Sequence, residues 1–348
     1  MRARARWASV VLLTTLTGPA LAQPRAGDPL PPGAVARLGT PQGRHQGPVT
    51  LLRFSPDGKI LFSGERGYGA PELVLKWQTA EWKPLAAVPQ TATAGVERVS
   101  LSPDCRLLLA SPAFCQLALY DAASGKVLHQ LDPEEVHHQG TFTSDGKVVI
   151  CPTGSGNKAR AVLCDVANGK TIRAVPIPGL AAPWILSADD RNLAWVGPNG
   201  LHVADLATGS QMLLGRGFRG GAGTSPLAVA FSPDSRYVAG IDDTTRRLAI
   251  WQLDARRELL ADAGDKMPAH LTGDPLVAFS PDGRMVASTG VLGKTGVQLW
   301  ETATGKLRRH LTGQATPVTA LAFSPDGRHL ASGSEDTTVL IWDLYAVR

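Results

Sequence analysis

The last stretch of the chain carries the pattern of apolar and polar positions that organises all of it. Pro317–Ser324 is largely apolar and runs into Ser324-Pro325-Asp326-Gly327. Proline sets φ at the first turn position, aspartate bonds nearby backbone and glycine accepts positive φ, so the chain reverses tightly there. Arg328–Ser334 then alternates apolar and polar, Glu335-Asp336 turns again, and Thr338–Leu344 carries Ile341-Trp342-Asp343. Period-two alternation between turn signals predicts an antiparallel meander. A sustained 3.6-residue pattern is lacking, so no substantial helix is expected.

The turn recurs seven times, beginning at Phe54, Leu101, Phe142, Leu186, Phe231, Phe279 and Phe323, at intervals of 41 to 48 residues. A fixed period of this length marks stacked supersecondary units. The third strand recurs with it, through Trp77, Tyr120, Cys164, Ala204, Trp251, Trp300 and Trp342. Several copies then turn through Gly125-Lys126, Gly169-Lys170 or Gly305-Lys306 into a fourth strand. Seven units of four strands predict an all-β, seven-bladed β-propeller of four-stranded antiparallel blades. The chain reaches Arg348 just after the seventh unit's third strand, and Ala34–Leu38 stands ahead of repeat 1 as Lys306–His310 stands ahead of repeat 7. The N-terminal strand is therefore expected to complete the last blade, removing free edges.

These repeats resemble WD40 repeats, the best match being His329–Asp343, over residues 34–348 and with the likeness strongest in repeats 1, 5, 6 and 7. The resemblance implies a His–Ser/Thr–Asp–Trp hydrogen-bonding network within a blade, which no repeat carries in full. Repeat 1 offers His45, Ser63 and Trp77 without the aspartate, and repeat 6 offers His270, Ser288 and Trp300 without it. Repeat 7 has Ser332, Asp336 and Trp342, with Gln314 in place of the histidine.

Residues 1–22 read as a signal peptide, with Arg2, Arg4 and Arg6 ahead of the short apolar run Trp7–Leu16 and a small-x-small site at Ala20-Leu21-Ala22. Residues 23–33 are a Pro-rich linker. The protein is expected to be exported, periplasmic or secreted, with no membrane span in the mature chain, since the apolar run is too short to cross a bilayer. Loss of three arginines and no acid takes the formal charge from +5 to +2, which argues for no nucleic-acid partner. Aligning repeat 3 on repeat 7 sets Cys151 at Ser332 and Cys164 at Trp342, side by side on adjacent strands, a possible disulfide in an oxidising compartment. Cys105 and Cys115 fall at opposite ends of one strand.

Chemistry-bearing clusters are few. Glu134-Glu135-Val136-His137-His138 has zinc-ligand types, but adjacent strand residues face opposite ways. Arg216–Thr224 is glycine-rich without the Gly-Lys-Ser/Thr ending or following helix of a phosphate cradle. Asp189-Asp190 and Asp242-Asp243 sit in turns, where aspartate serves local bonding. No catalytic, cofactor-binding or metal residue is assigned, and no cofactor is expected.

In the geometry the resemblance implies, inter-blade loops and second-to-third-strand turns share one rim. That rim gathers Arg44, Arg66, Tyr68, Arg98, Arg160, Trp184, Arg216, Phe218, Arg219, Arg246 and Arg247, with fewer acids, Glu65 and Asp336 among them. Arginine mixed with aromatic side chains is the composition of protein-binding hot spots. The reading is a monomeric, non-catalytic interaction platform for a protein partner of acidic character. The alternative is a propeller enzyme or ligand-binding propeller of quinoprotein-like or TolB-like type, with its site at the central channel.

Overall fold

A computed structural model describes residues 28–39, 45–65, 74–85, 99–110, 117–131, 140–180, 184–197, 199–215, 229–241, 248–261, 276–289, 296–314 and 316–346. It forms seven four-stranded antiparallel sheets, here called blades 1 to 7, with strands a to d running outward in each. The inner strands a are Val49–Phe54, Val99–Leu101, Thr141–Phe142, Trp184–Leu186, Val229–Phe231, Val277–Phe279 and Val318–Phe323. Blades 1 to 6 each add three consecutive strands, blade 1 through Ile60–Glu65, Val74–Gln78 and Lys83–Pro84. Blade 7 adds only His329–Ser334 and Val339–Asp343 from its own repeat. Its fourth strand is Ala34–Leu38, paired antiparallel with Val339–Asp343, Leu38 opposite Val339. The N-terminal strand closes the ring, as the repeat spacing predicts. The one helical turn among the described residues is a short 3-10 segment, Gly156–Lys158.

Each turn folds by the same local chemistry. In blade 1, Ser55 Oγ donates to Asp57 at 2.6 Å and accepts from Ile60 N–H at 2.9 Å, while Asp57 accepts from Lys59 N–H at 3.1 Å. The same three bonds recur at Ser102 and Asp104, Ser187 and Asp189, and Ser280 and Asp282. Threonine serves equally at Thr143 with Asp145. A side chain that satisfies backbone N–H groups at a reversal fixes that reversal without help from the core.

The core is divided. Seven apolar clusters lie one between each pair of consecutive blades, such as Phe62, Val74, Leu108 and Tyr120 between blades 1 and 2. The cluster at the closing seam joins Leu38, Val49, Leu61 and Trp77 to Val339 and Ile341. Burial of each blade's two faces therefore depends on its neighbours, which is how a stacked repeat gains stability.

Candidate functional site

Strands b and c meet in the same register throughout, and one diagonal pair of side chains in each blade packs toward the preceding blade. In blade 7 Leu330 stands opposite Trp342, and Ser332 lies two residues further along strand b. Trp342 Nε1–H donates to Ser332 Oγ at 2.8 Å, and Trp300 donates to Ser288 Oγ at 2.8 Å in blade 6. The same register sets Tyr120 opposite Leu108 and diagonal to Ala110 in blade 2, and Trp251 opposite Val238 and diagonal to Gly240 in blade 5. Blade 4 inverts the arrangement. Ala204 occupies the strand-c position, and the indole comes from Trp195 on strand b, where it donates to Gly179 O at 2.8 Å and stacks on His202.

Blade 3 places Cys151 and Cys164 on this diagonal, with Cys164 opposite Val149. Both are buried and in hydrogen-bonding contact as thiols in this structure. That contact and the burial push the Cys151 thiol well above the ordinary range.

Blade 1 supplies the member that the sequence seemed to lack. Ser63 Oγ lies 2.8 Å from His45 Nε2 and accepts Trp77 Nε1–H at 2.7 Å. Glu65 Oε2 stands 3.4 Å from His45 Nδ1 and accepts the backbone N–H groups of Gln46 and Gly47. Glutamate two residues past Ser63 thus takes the role expected of aspartate in the following turn. Glu65 is only 4% exposed, so it belongs to the interior and not to the charged rim. Burial acts to raise its pKa, but the His45 contact and the two backbone N–H groups prevail and hold it below 4.5. Serine, histidine and glutamate in this order are the residue types of a hydrolytic triad. Here Ser63 is wholly buried and already accepts an indole N–H, so the set is a structural bolt.

Of the proposed rim, Arg160 and Trp184 lie within the described residues; Arg44, Arg66, Tyr68, Arg98, Arg216, Phe218, Arg219, Arg246 and Arg247 lie outside them. Arg160 begins strand c of blade 3, exposed, with Nε donating to Thr153 at 3.1 Å. Trp184 begins the inner strand of blade 4 and is half-buried, on the wall of a cavity of about 470 Å³. Both strand starts fall at the same end of the blades by topology, and no hydrogen bond or ring contact joins them among the described residues. Asp336 is buried at 5% exposure and accepts from Thr338, so it too leaves the rim. His137, His138, Asp242, Asp243, Cys115 and the whole of the glycine-rich Arg216–Thr224 segment also lie outside the described residues. No group of three or more metal-ligating side chains occurs among those described.

The opposite end of the blades carries a feature that motif reading passed over. The residue after each turn is basic in every repeat: Lys59, Arg106, Lys147, Arg191, Arg236, Arg284 and Arg328. Lys59, Arg106 and Arg284 stand 3.9 to 4.0 Å from the aspartate of their own turn, highly exposed. Pairs of that kind contribute little to stability because solvent and salt screen them, and they leave the ring of cations locally balanced. Writing the seven turns in one register is the signal that exposes it.

Comparison with known proteins gives a consistent picture. The pattern of the WD domain, G-beta repeat, matches residues 38–68 and 305–343, which take in strands a and b of blade 1 on one side of the closing seam and, on the other, the outer strand of blade 6 with strands a to c of blade 7. The chain is 39% identical over 69 residues to the Periodic tryptophan protein 2 homolog of Neurospora crassa, covering 20% of this chain and 8% of that protein. It is 34% identical over 116 residues to the WD repeat-containing protein SL1-17 of Schistosoma mansoni, covering 33% of this chain and 36% of that protein. A longer match, 28% identical over 222 residues, is to Transducin beta-like protein 3 of Bos taurus, covering 60% of this chain and 26% of that protein. The chain thus spans only a minor part of the length of each of these relatives.

Proposed function

Because the chain belongs to the WD40-repeat β-propeller family, we propose that it works as a non-catalytic platform for protein partners, exported from the cytoplasm. The observation that carries this reading is the way the ring is fixed. Turn bonds repeat from blade to blade, interior networks bolt strands b and c, and the first strand locks the last blade. Loops displayed from a stiff scaffold lose less entropy on contact than free segments do, and binding gains by that difference. The partner face is the rim of inter-blade loops and second-to-third-strand turns, with Arg160 exposed at one of its hairpins. Its arginines select a partner of acidic character. Export rests on the basic, apolar and small-residue order of Met1–Ala22.

The test is capture. Residues 23–348 are immobilised and exposed to envelope extract, alongside a chain with Arg66, Arg160, Arg219 and Arg247 changed to Glu. The platform reading expects a dominant protein partner that is lost on charge reversal. Capture of nothing by either chain, or equal capture by both, counts against it. Fractionation of the source cells tests export separately, since a cytoplasmic chain retaining residues 1–22 removes that part of the reading.

A further inference from the structure

One position in each inner strand directly precedes the aromatic or leucine that opens the turn. Across the seven blades it reads Arg53, Ser100, Thr141, Ile185, Ala230, Ala278 and Ala322. Six are uncharged and Arg53 alone carries a charge. Together with Thr141, Phe142, Ile185 and Asp190, Arg53 lines the cavity of about 470 Å³. Blades 1 to 4 all contribute to that wall through inner strands and their turns, and only the axis of the ring brings those together.

The two charged groups on the wall differ in how they are satisfied. Asp190 accepts Ser144 N–H at 2.9 Å and Ser144 Oγ–H at 2.6 Å, so both its oxygens are engaged. Arg53 donates to Leu101 O at 3.2 Å and meets the Cys105 thiol, and among the described residues it has no carboxylate partner. A guanidinium offers five N–H donors in a planar fork. Two neutral contacts leave most of that fork and all of its charge uncompensated, on a wall that mixes Thr141, Ser144 and Ser187 with Phe142, Ile185 and Leu186.

We propose that the axial cavity is a binding site for a small organic anion. Its carboxylate sits on the free edge of the Arg53 fork with the Thr141 hydroxyl as a further donor. Its apolar body lies against Phe142 and Ile185. The volume falls within the range of small-molecule sites. An occupant there bridges blades 1 and 3 through Arg53 and Thr141, neither of them a rim residue, and shares Trp184 with the rim, so the site is tested apart from the platform reading at Arg53. A purely structural Arg53, tying blade 1 to blade 2 through Leu101, has no reason to prefer an anion over a neutral molecule of the same shape.

That difference is the test. Benzoate and benzamide are titrated into the full chain by calorimetry, and again into Arg53→Gln. The proposal expects saturable benzoate binding, about tenfold or more tighter than benzamide, a preference that disappears in Arg53→Gln. Absence of saturable benzoate binding, equal affinity for the two probes, or a preference that survives Arg53→Gln overturns it. If Arg53→Gln does not fold, Ile185→Phe, which narrows the cavity from the apolar wall, has to abolish benzoate binding; unchanged binding by that variant overturns the proposal as well.

Discussion

Single residues in this ring depart from the repeat pattern, and each departure comes with a local answer. Trp82 holds φ at +54°, where other blades place Gly125, Gly169 or Gly305. A bulky side chain in the left-handed region costs about 1–2 kcal/mol. Trp82 offsets this by packing edge-on against Phe54 of its own blade and His329 of blade 7, across the closing seam. Glu65 is the second case, a carboxylate enclosed with His45 and two backbone N–H groups. Because its folded pKa lies below the ordinary 4.5, its contribution to stability is fully present above that value and fades as pH falls through the lower folded value. Glu65→Gln should lower the melting temperature at neutral pH and flatten the decline of stability below pH 4.5. Equal slopes for both chains between pH 3 and 6, roughly the range in which carboxylates titrate, would show that the carboxylate is not held as described.

At the scale of elements, the seven turns form a ring of their own. A Cβ built on Gly58 would lie 3.7 Å from Pro325 Cδ of the preceding blade, and one on Gly146 would lie 3.4 Å from Pro103 Cδ. That spacing leaves room for a side chain, so the backbone angle, not crowding, favours glycine there. Cys105, Asp190 and Ser235 occupy the position in blades 2, 4 and 5, each with φ at +59°. All three reach back to the preceding blade: Cys105 to Arg53, Asp190 to Ser144, and Ser235 Oγ to the N–H of Asp189. Ser144 stands where five of the other six turns have proline, blade 4 having Ala188, and its N–H is one of the groups that Asp190 binds. The two departures are therefore one exchange, a proline–glycine contact traded for a serine–aspartate bond. Ser144→Pro alone should cost about 1 kcal/mol in chemical denaturation. Ser144→Pro with Asp190→Gly should cost less than the sum of the two single changes, by about 0.5 kcal/mol or more. Strict additivity would mean that the two turns do not act as a pair.

For the whole molecule, the decisive contact is the one between the ends of the sequence. Leu38, 3% exposed, joins the cluster that also holds Val49 of blade 1 and Ile341 of blade 7. Thr319 Oγ1–H of blade 7 donates to Val49 O at 2.7 Å across the same seam. Removing Ala34–Leu38 leaves Val339–Asp343 as an unpaired edge and uncovers part of that cluster. Such a chain should melt several degrees lower, roughly 2–4 °C for each kcal/mol lost, and should associate through the bare edge. A peptide of the missing strand, added in excess, should recover the loss by mass action. Unchanged melting and a monomeric truncated chain would place closure elsewhere.

The sequence by itself determined the number of blades, the turn chemistry and the closing strand. Each of these follows from contacts within about 40 residues or from a strictly repeated register, and both are written along the chain. The seven serine or threonine turns needed no tertiary information, because their donors and acceptors lie within five residues of one another. Only the folded structure decided that Glu65 completes the blade 1 network and leaves the rim, that Trp195 replaces a strand-c tryptophan from strand b, and that Ser144 and Asp190 meet. Those pairs depend on which face of a sheet a side chain takes and on a neighbour 16 to 46 residues away. The Arg53 cavity is the extreme case, since its wall draws on four blades, the first and last of them not neighbours in the ring. A sequence records strand order and alternation, whereas a site built across the axis exists only once the ring has closed.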